Sequence, residues 1–170
     1  MRYLGIDLGE RRTGIAVGDS QTRLVSPVEV IEIPMGMADG GPLIEAIVRA
    51  FERQIGPGTS GELVFGLPLN MDGSESKQSR ISRSFALRVK ARLAREVRFQ
   101  DERLTSADAD WAMSRSELTY KQKKERRDAL AAAAILRDYL AALPASTGPS
   151  STPATDQPSE NDGSHDPQSP

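Results

Sequence analysis

The chain has 170 residues, enough for one domain with a real hydrophobic core and too few for two well-buried ones. It has no cysteine and one histidine, His165, in a C-terminal run without large apolar residues, so thiol chemistry, a His-based triad and a Cys/His zinc site are excluded from the folded body. The net charge of −2 hides a division: Asp156, Glu160, Asp162 and Asp166 lie in that run, leaving 20 of the 24 acids against all 22 Lys and Arg in the body, a balance too even to name a partner.

The elements follow in chain order. Tyr3–Ile6 reads as a buried strand ending at Asp7, and Thr13–Val17 as a second strand after the polar turn Gly9-Glu10-Arg11-Arg12, so the two are predicted to form a hairpin. Leu24–Ile33 is rich in Val and Ile and reads as a third strand, which Pro27 assigns to an edge or a bulge. Leu43, Ile44, Ile47, Val48, Phe51 and Ile55 have helical spacing, and Gly56-Pro57-Gly58 stops that helix. A short strand, Glu62–Phe65, runs into Gly66-Leu67-Pro68. Ile81, Phe85, Val89 and Leu93 then recur every four residues and mark a second helix. Val97–Gln100 is a further strand leading to Asp101-Glu102-Arg103, followed by a helical segment near Ser106–Ser114 and a stronger helix from Lys124 to Leu143.

The order βββαβαβα requires crossovers, hence a mixed five-stranded sheet flanked by helices in an α/β domain spanning residues 1–143. An antiparallel three-strand opening on such a sheet describes the RNase H-like architecture. Residues 144–170 form a Ser/Thr/Pro-rich acidic tail that cannot bury enough surface to offset the entropy of ordering it, and are predicted to be disordered. No stretch approaches the ~20 apolar residues of a membrane span. Met1-Arg2-Tyr3 leads directly into a strand without the apolar core of a signal peptide, and a cytoplasmic protein is expected.

Three carboxylates on separate elements are the candidate chemistry. Asp7 follows an apolar strand and sits between glycines that let other groups approach the backbone; its structural alternative is to satisfy turn amides. Asp101 and Glu102 follow the last strand, at the kind of strand end where α/β proteins place their sites, and one of the pair should face the same crevice. The alternative is that they flank a helix start capped by Thr105 or Ser106. Asp128 lies at the start of the alanine-rich run Asp128–Ala134, which lets a helix pack closely on a sheet; a carboxylate favoured by the helix dipole is the alternative there. Three carboxylates without Cys or a usable His suit Mg²⁺ or Mn²⁺, and their shared chemistry is phosphodiester hydrolysis by a pair of metals about 4 Å apart.

Eight Lys or Arg lie between Lys77 and Arg98 against one acid, Glu96, and Lys121, Lys123, Lys124, Arg126 and Arg127 precede Asp128. Such runs are commonly solvated helix faces, yet two of them beside acidic metal candidates favour contact with a phosphate backbone.

The ordered set Gly5-Ile6-Asp7-Leu8-Gly9 with Arg11-Arg12-Thr13-Gly14, then Gly66-Leu67-Pro68 with Asp72-Gly73, then Asp101-Glu102-Arg103-Leu104-Thr105, then Asp128–Ala132 with Ile135-Leu136, resembles the YqgF (RuvX) family of pre-16S rRNA nucleases, also called Holliday junction resolvase-like proteins. The resemblance covers almost all of residues 1–143. It implies an RNase H-like fold, a cytoplasmic location, a role in maturing the 5′ end of 16S rRNA, and hydrolase activity dependent on Mg²⁺ or Mn²⁺. By motif it makes Asp7, Glu102 and Asp128 the catalytic and metal-binding residues. Arg11, Arg12, Asn70, Lys77, Arg80, Arg103, Lys123, Lys124 and Arg127 are the candidates for nucleic-acid contact. One departure stands out: related resolvases close the central fourth strand with a metal-binding Glu, and here no carboxylate follows Phe65 before Asp72, so Gly66–Gly73 is expected to form a backbone-lined rim.

The implied partners are a 16S rRNA precursor, branched DNA and ribosome-assembly intermediates, without a membrane. A monomer is expected, since no dimer interface is evident. Three other readings stand beside the RNA nuclease. A Holliday junction resolvase-type DNA endonuclease would be the same reaction class. A catalytically silent RNA-binding ribosome-assembly module would keep the fold alone. An actin-like or sugar-kinase-like ATP-binding protein shares a loop like Gly5–Gly9, but needs a second lobe that about 143 folded residues do not supply.

Overall fold

A computed structural model of the chain describes residues 1–104 and 120–144. The predicted helix at 106–114, Thr105 and the tail from 145 onward lie outside the described residues. β1 (Arg2–Leu8), β2 (Thr13–Asp19) and β3 (Val25–Ile31) form an antiparallel meander, and β4 (Gly61–Leu67) and β5 (Val97–Asp101) add in parallel to β1. The strand order is β3-β2-β1-β4-β5. β3 is an edge, and its register slips where Ile15 pairs with Glu29 but Ala16 with Pro27, so Pro27 sits at both an edge and a bulge.

Helix α1 (Gly41–Ile55) carries Pro42 in its first turn, where no intrahelical N–H is needed, and stops at Gly56, whose φ of 100° favours glycine. Helix α2 (Lys77–Leu93) begins four residues before its first predicted apolar position, because the Ser76 hydroxyl caps it by accepting from the Ser79 N–H. Its buried face runs through Ser79, Ser82, Phe85, Ala86 and Val89, which leaves Ile81, predicted for the core, at the exposed margin. Helix α3 (Tyr120–Ala142) starts one turn before the predicted Lys124.

The two faces of the sheet are packed differently. Leu4, Ile6, Ile15, Leu63 and Phe65 meet the apolar faces of α1 and α2 in the larger core. Tyr3, Ala16 and Val64 meet α3 through Ala132, Ala133, Ile135, Leu136 and Leu140. Between these side chains, three sheet positions under α3 are glycine. A Cβ at Gly5 would lie 2.8 Å from the Leu136 Cβ, one at Gly18 3.0 Å from Leu140, and one at Gly14 1.8 Å from the carbonyl oxygen of Asp128. Among the described residues no helix is long and apolar enough to cross a membrane.

The Gly14 contact is with backbone and cannot yield by a side-chain rotation. Gly14→Ala is therefore expected to lower the unfolding free energy in urea by about 2–3 kcal/mol, the scale of an overpacked core. Gly36→Ala, at a position with nothing within 4 Å, should stay within about 0.5 kcal/mol of the parent; equal effects of the two changes would remove the close contact from the account.

Candidate active site

All three carboxylates lie at one end of the sheet, where β1, β4 and β5 finish and β2 begins. Asp7 is the penultimate residue of β1 and pairs in register with Gly14 of β2. On its other side it lies one step past the Ile6–Phe65 pair, beside Gly66 of β4. Alternation along β1 turns Ile6 toward α1 and α2, and Gly5 and Asp7 toward α3. Asp7 thus stands between two residues without side chains, and the space over each is taken by another acidic residue. The Asp128 backbone rests on Gly14. The Glu102 carboxylate rests on Gly66, where an added Cβ would lie 2.0 Å from its Oε1.

The charges follow from this packing. Removal from water, reinforced by the Asp128 carboxylate, pushes Asp7 up to about 6. Removal from water, then repulsion from Asp7 and Asp101, pushes Glu102 up to about 7. Asp101 is spent elsewhere: the Arg103 Nε donates to its carboxylate at 2.8 Å and the Arg103 N–H at 3.0 Å, and the guanidinium holds its pKa below the usual range. Of the pair Asp101 and Glu102, it is Glu102 that faces Asp7. Among the described residues no three acidic side chains are arranged to hold a metal ion by themselves. The couplings instead run from Asp7 to each neighbour, leaving an open row.

The loop after β4 forms the rim. The Asn70 Nδ2 donates to the Ser74 Oγ at 2.9 Å, and the Ser74 hydroxyl donates to the Asp72 Oδ1 at 2.6 Å, so both side chains brace the loop from within. Arg103 Nη1 donates to the Met71 carbonyl at 3.1 Å, tying this loop to the turn that carries Glu102. Arg103, expected to meet nucleic acid, is occupied as a strut. That role was not legible in sequence, because a carbonyl acceptor leaves no sequence signature.

The basic candidates divide. Arg11 is exposed on the β1–β2 turn, and Arg12 pairs with Glu32 at 2.9 Å. Lys77 and Arg80 are exposed on the first turns of α2, and Arg127 is exposed one residue before Asp128. The side chains of Lys121, Lys123 and Lys124 lie outside the described residues. Much of the predicted α2–β5 basic run is balanced by acids: Arg92 by Glu45 and Arg98 by Glu62 from distant segments, Arg83 by Glu75 just before α2, and Lys90 by Glu96 within the run. Most of that run is a solvated, ion-paired face.

A mixed sheet in the order 3-2-1-4-5 with acidic residues at the end of its central strand defines an RNase H-like α/β protein. The fowlpox virus resolvase, solved with Holliday junction DNA, superposes with a TM-score of 0.50 at 13% identity, covering 83% of this chain and 97% of that one. The family described as "RuvX: Holliday junction resolvase" matches residues 1–142, and the chain belongs to it. A relative from Anaeromyxobacter sp. (strain Fw109-5), named "Putative pre-16S rRNA nuclease", is 37% identical over 82% of this chain and 96% of its own length. One of the same name from Lactococcus lactis subsp. cremoris (strain MG1363) is 31% identical over 82% of this chain and 93% of its own.

Carboxylates that hold their protons more tightly folded than unfolded stabilise the fold most at low pH, and that contribution is lost as pH rises through about 6 for Asp7 and about 7 for Glu102. In chelator, stability should therefore fall by on the order of 4 kcal/mol between pH 5 and pH 8, reckoned at about 1.4 kcal/mol per pKa unit. Asp7→Asn should flatten that slope and raise stability at pH 8. A melting temperature independent of pH across this window would show that the two carboxylates are not desolvated together.

Proposed function

We propose that this protein is a nuclease dependent on Mg²⁺ or Mn²⁺ that processes the 5′ end of pre-16S rRNA in the cytoplasm during ribosome biogenesis. The observation that carries the reading is Asp7, a partly buried carboxylate with Asp128 and Glu102 gathered against it. Like charges held together away from water are unfavourable, and a proton or a bound cation relieves them. Family membership supports the reaction class, and the names of the relatives favour RNA as the substrate.

The donor set fits Mg²⁺ or Mn²⁺. The oxygens are hard, and an open row in place of a closed cage matches an ion held by one or two carboxylates and completed by water and substrate phosphate. Asp7, with Glu102 or Asp128 beside it, would hold it. Bound there, the cation supplies an acidified water and neutralises charge on the scissile phosphate. The chain's own groups do the rest. Gly14 and Gly66 keep the sheet clear so that the acids meet over Asp7. Arg103 withdraws Asp101 from the site and fixes the Met71 loop beside it. Without a cation Glu102 keeps its proton up to about pH 7, so the site charges fully only when a cation or a rise in pH removes it. In this reading the nucleophile is a water, and no protein nucleophile is required.

The description of the family as Holliday junction resolvase favours a second reading, cleavage of branched DNA by the same centre. Parallel assays on a 5′-extended 16S precursor, an unrelated single-stranded RNA and a four-way DNA junction separate the two. The expected outcome is Mn²⁺- or Mg²⁺-dependent cleavage of the precursor, reduced about a hundredfold or more by Asp7→Asn with the fold intact by circular dichroism. Cleavage of the junction alone transfers the activity to DNA, and full activity of Asp7→Asn removes the centre.

A further inference from the structure

We propose that the groove between the turn Met37–Gly40 and helix α2 is a second nucleic-acid contact. It would seat a splayed base of single-stranded RNA on Met35 and Ile81, over Phe85, with the flanking phosphates on Arg80 and Arg88. The inference rests on the nuclease reading, since the strand is the one that enters the carboxylate centre.

The groove has a volume of about 380 Å³, within the range of small-molecule sites, and is lined by Met35, Arg80, Ile81, Phe85 and Arg88 among others. It lies on the α1–α2 face of the sheet, opposite the α3 face toward which Asp7 points, and begins near the sheet end where β4 finishes. The Met35 N–H donates to the Glu10 carbonyl at 2.9 Å, so the groove wall is attached to the β1–β2 turn that begins two residues after Asp7. On the other wall, the Ser76 hydroxyl donates to the Pro68 carbonyl at 2.6 Å, anchoring the start of α2 to the rim of the centre.

Charge availability points to the ligand. The neighbouring cations of α2 are committed: Arg92 makes two hydrogen bonds to Glu45, and Arg83 both pairs with Glu75 and stacks 4.5 Å from the Phe99 ring centre. The two arginines lining the groove are the loosely held ones. Arg80 reaches only the Glu75 carbonyl, at 3.5 Å, and Arg88 reaches Asp39 at 3.4 Å, where the Asp39 side chain is 95% exposed. Such contacts are exchanged for a phosphate at little cost. Eight residues apart on one helix, the two guanidiniums rise from points about 12 Å apart along its axis.

The apolar component calls for an unstacked base. Ile81 is 36% exposed, and among the described residues Met35 and Ile81 form the apolar surface of the groove above buried Phe85. Bases offered by single-stranded RNA stack on such surfaces, whereas bases within a duplex are covered by their neighbours. The opposite wall is held by Ala38 and Asp39 at φ of 44° and 55°, left-handed conformations that L side chains rarely adopt and that recur at binding sites.

The test measures binding of a fluorescently labelled 12-nucleotide single-stranded RNA to the full chain by anisotropy in chelator, so that cleavage plays no part. Arg80→Ala/Arg88→Ala is expected to weaken binding about tenfold and to reduce the slope of log affinity against log salt by about 1.4, the value for two phosphates on a single strand. Ile81→Ala should weaken binding several-fold without changing that slope. Lys90→Ala, paired with Glu96, should change affinity less than twofold. The proposal is overturned if the wild type does not bind, or if the double variant binds no worse than Lys90→Ala. Binding that depends on the two arginines in a protein that cleaves nothing would sink the nuclease reading and leave the groove standing. Cleavage with arginine-independent binding would do the reverse.

Discussion

The site depends on how closely helix α3 can lie against the sheet. Gly14, Gly5 and Gly18 follow one another beneath Asp128, Leu136 and Leu140, and each would collide with the helix if it carried a Cβ. Alanine-rich α3 supplies the matching small surface. A helix lowered onto a sheet in this way buries little apolar area per residue, so the contact is not explained by hydrophobic gain alone. Its consequence is positional: the start of the helix is brought over the one strand pair where Asp7 faces Gly14, and Asp128 arrives beside a carboxylate already withdrawn from water.

Gly66 does the same on the other side of Asp7. The expected acid at the end of the fourth strand is absent, and in its place a bare backbone receives Glu102 from the adjacent strand end. Arg103 completes the arrangement by holding Asp101 and the Met71 carbonyl together. The resulting gathering of acids works against stability above neutral pH, a common trade at a functional site. The surface ion pairs of α2 have a different role. They occupy Arg83, Lys90 and Arg92, whereas Arg80 and Arg88, which line the groove, are loosely held.

The strand order and helix positions were legible because hydrophobic periodicity and glycine stops report the core face directly. Pro27 announced both an edge and a bulge. The elements that escaped were those defined by capping or by backbone contact: the first turn of α2, begun by Ser76, and the left-handed turn at Ala38 and Asp39. Within the site, Asp7, Glu102 and Asp128 could be named from their places at element ends. Which of Asp101 and Glu102 faces inward could not, because it depends on Arg103 capturing one of them. The basic run from Lys77 to Arg98 read as a phosphate-binding face, since its acidic partners Glu45 and Glu62 come from distant segments and Glu75 lies just outside the run.

The chain's membership of the RuvX family and its sheet topology are consistent with one account, in which the glycine-cleared end of the sheet gathers acids to hold a cation. A crystal structure grown with Mn²⁺ and recorded at the manganese absorption edge tests that account most directly. The account predicts an anomalous peak about 2.1 Å from a carboxylate oxygen of Asp7, with Glu102 or Asp128 in its coordination sphere, and no peak there in Asp7→Asn crystals. Manganese bound only elsewhere, with Asp7 left protonated and unligated, would contradict it.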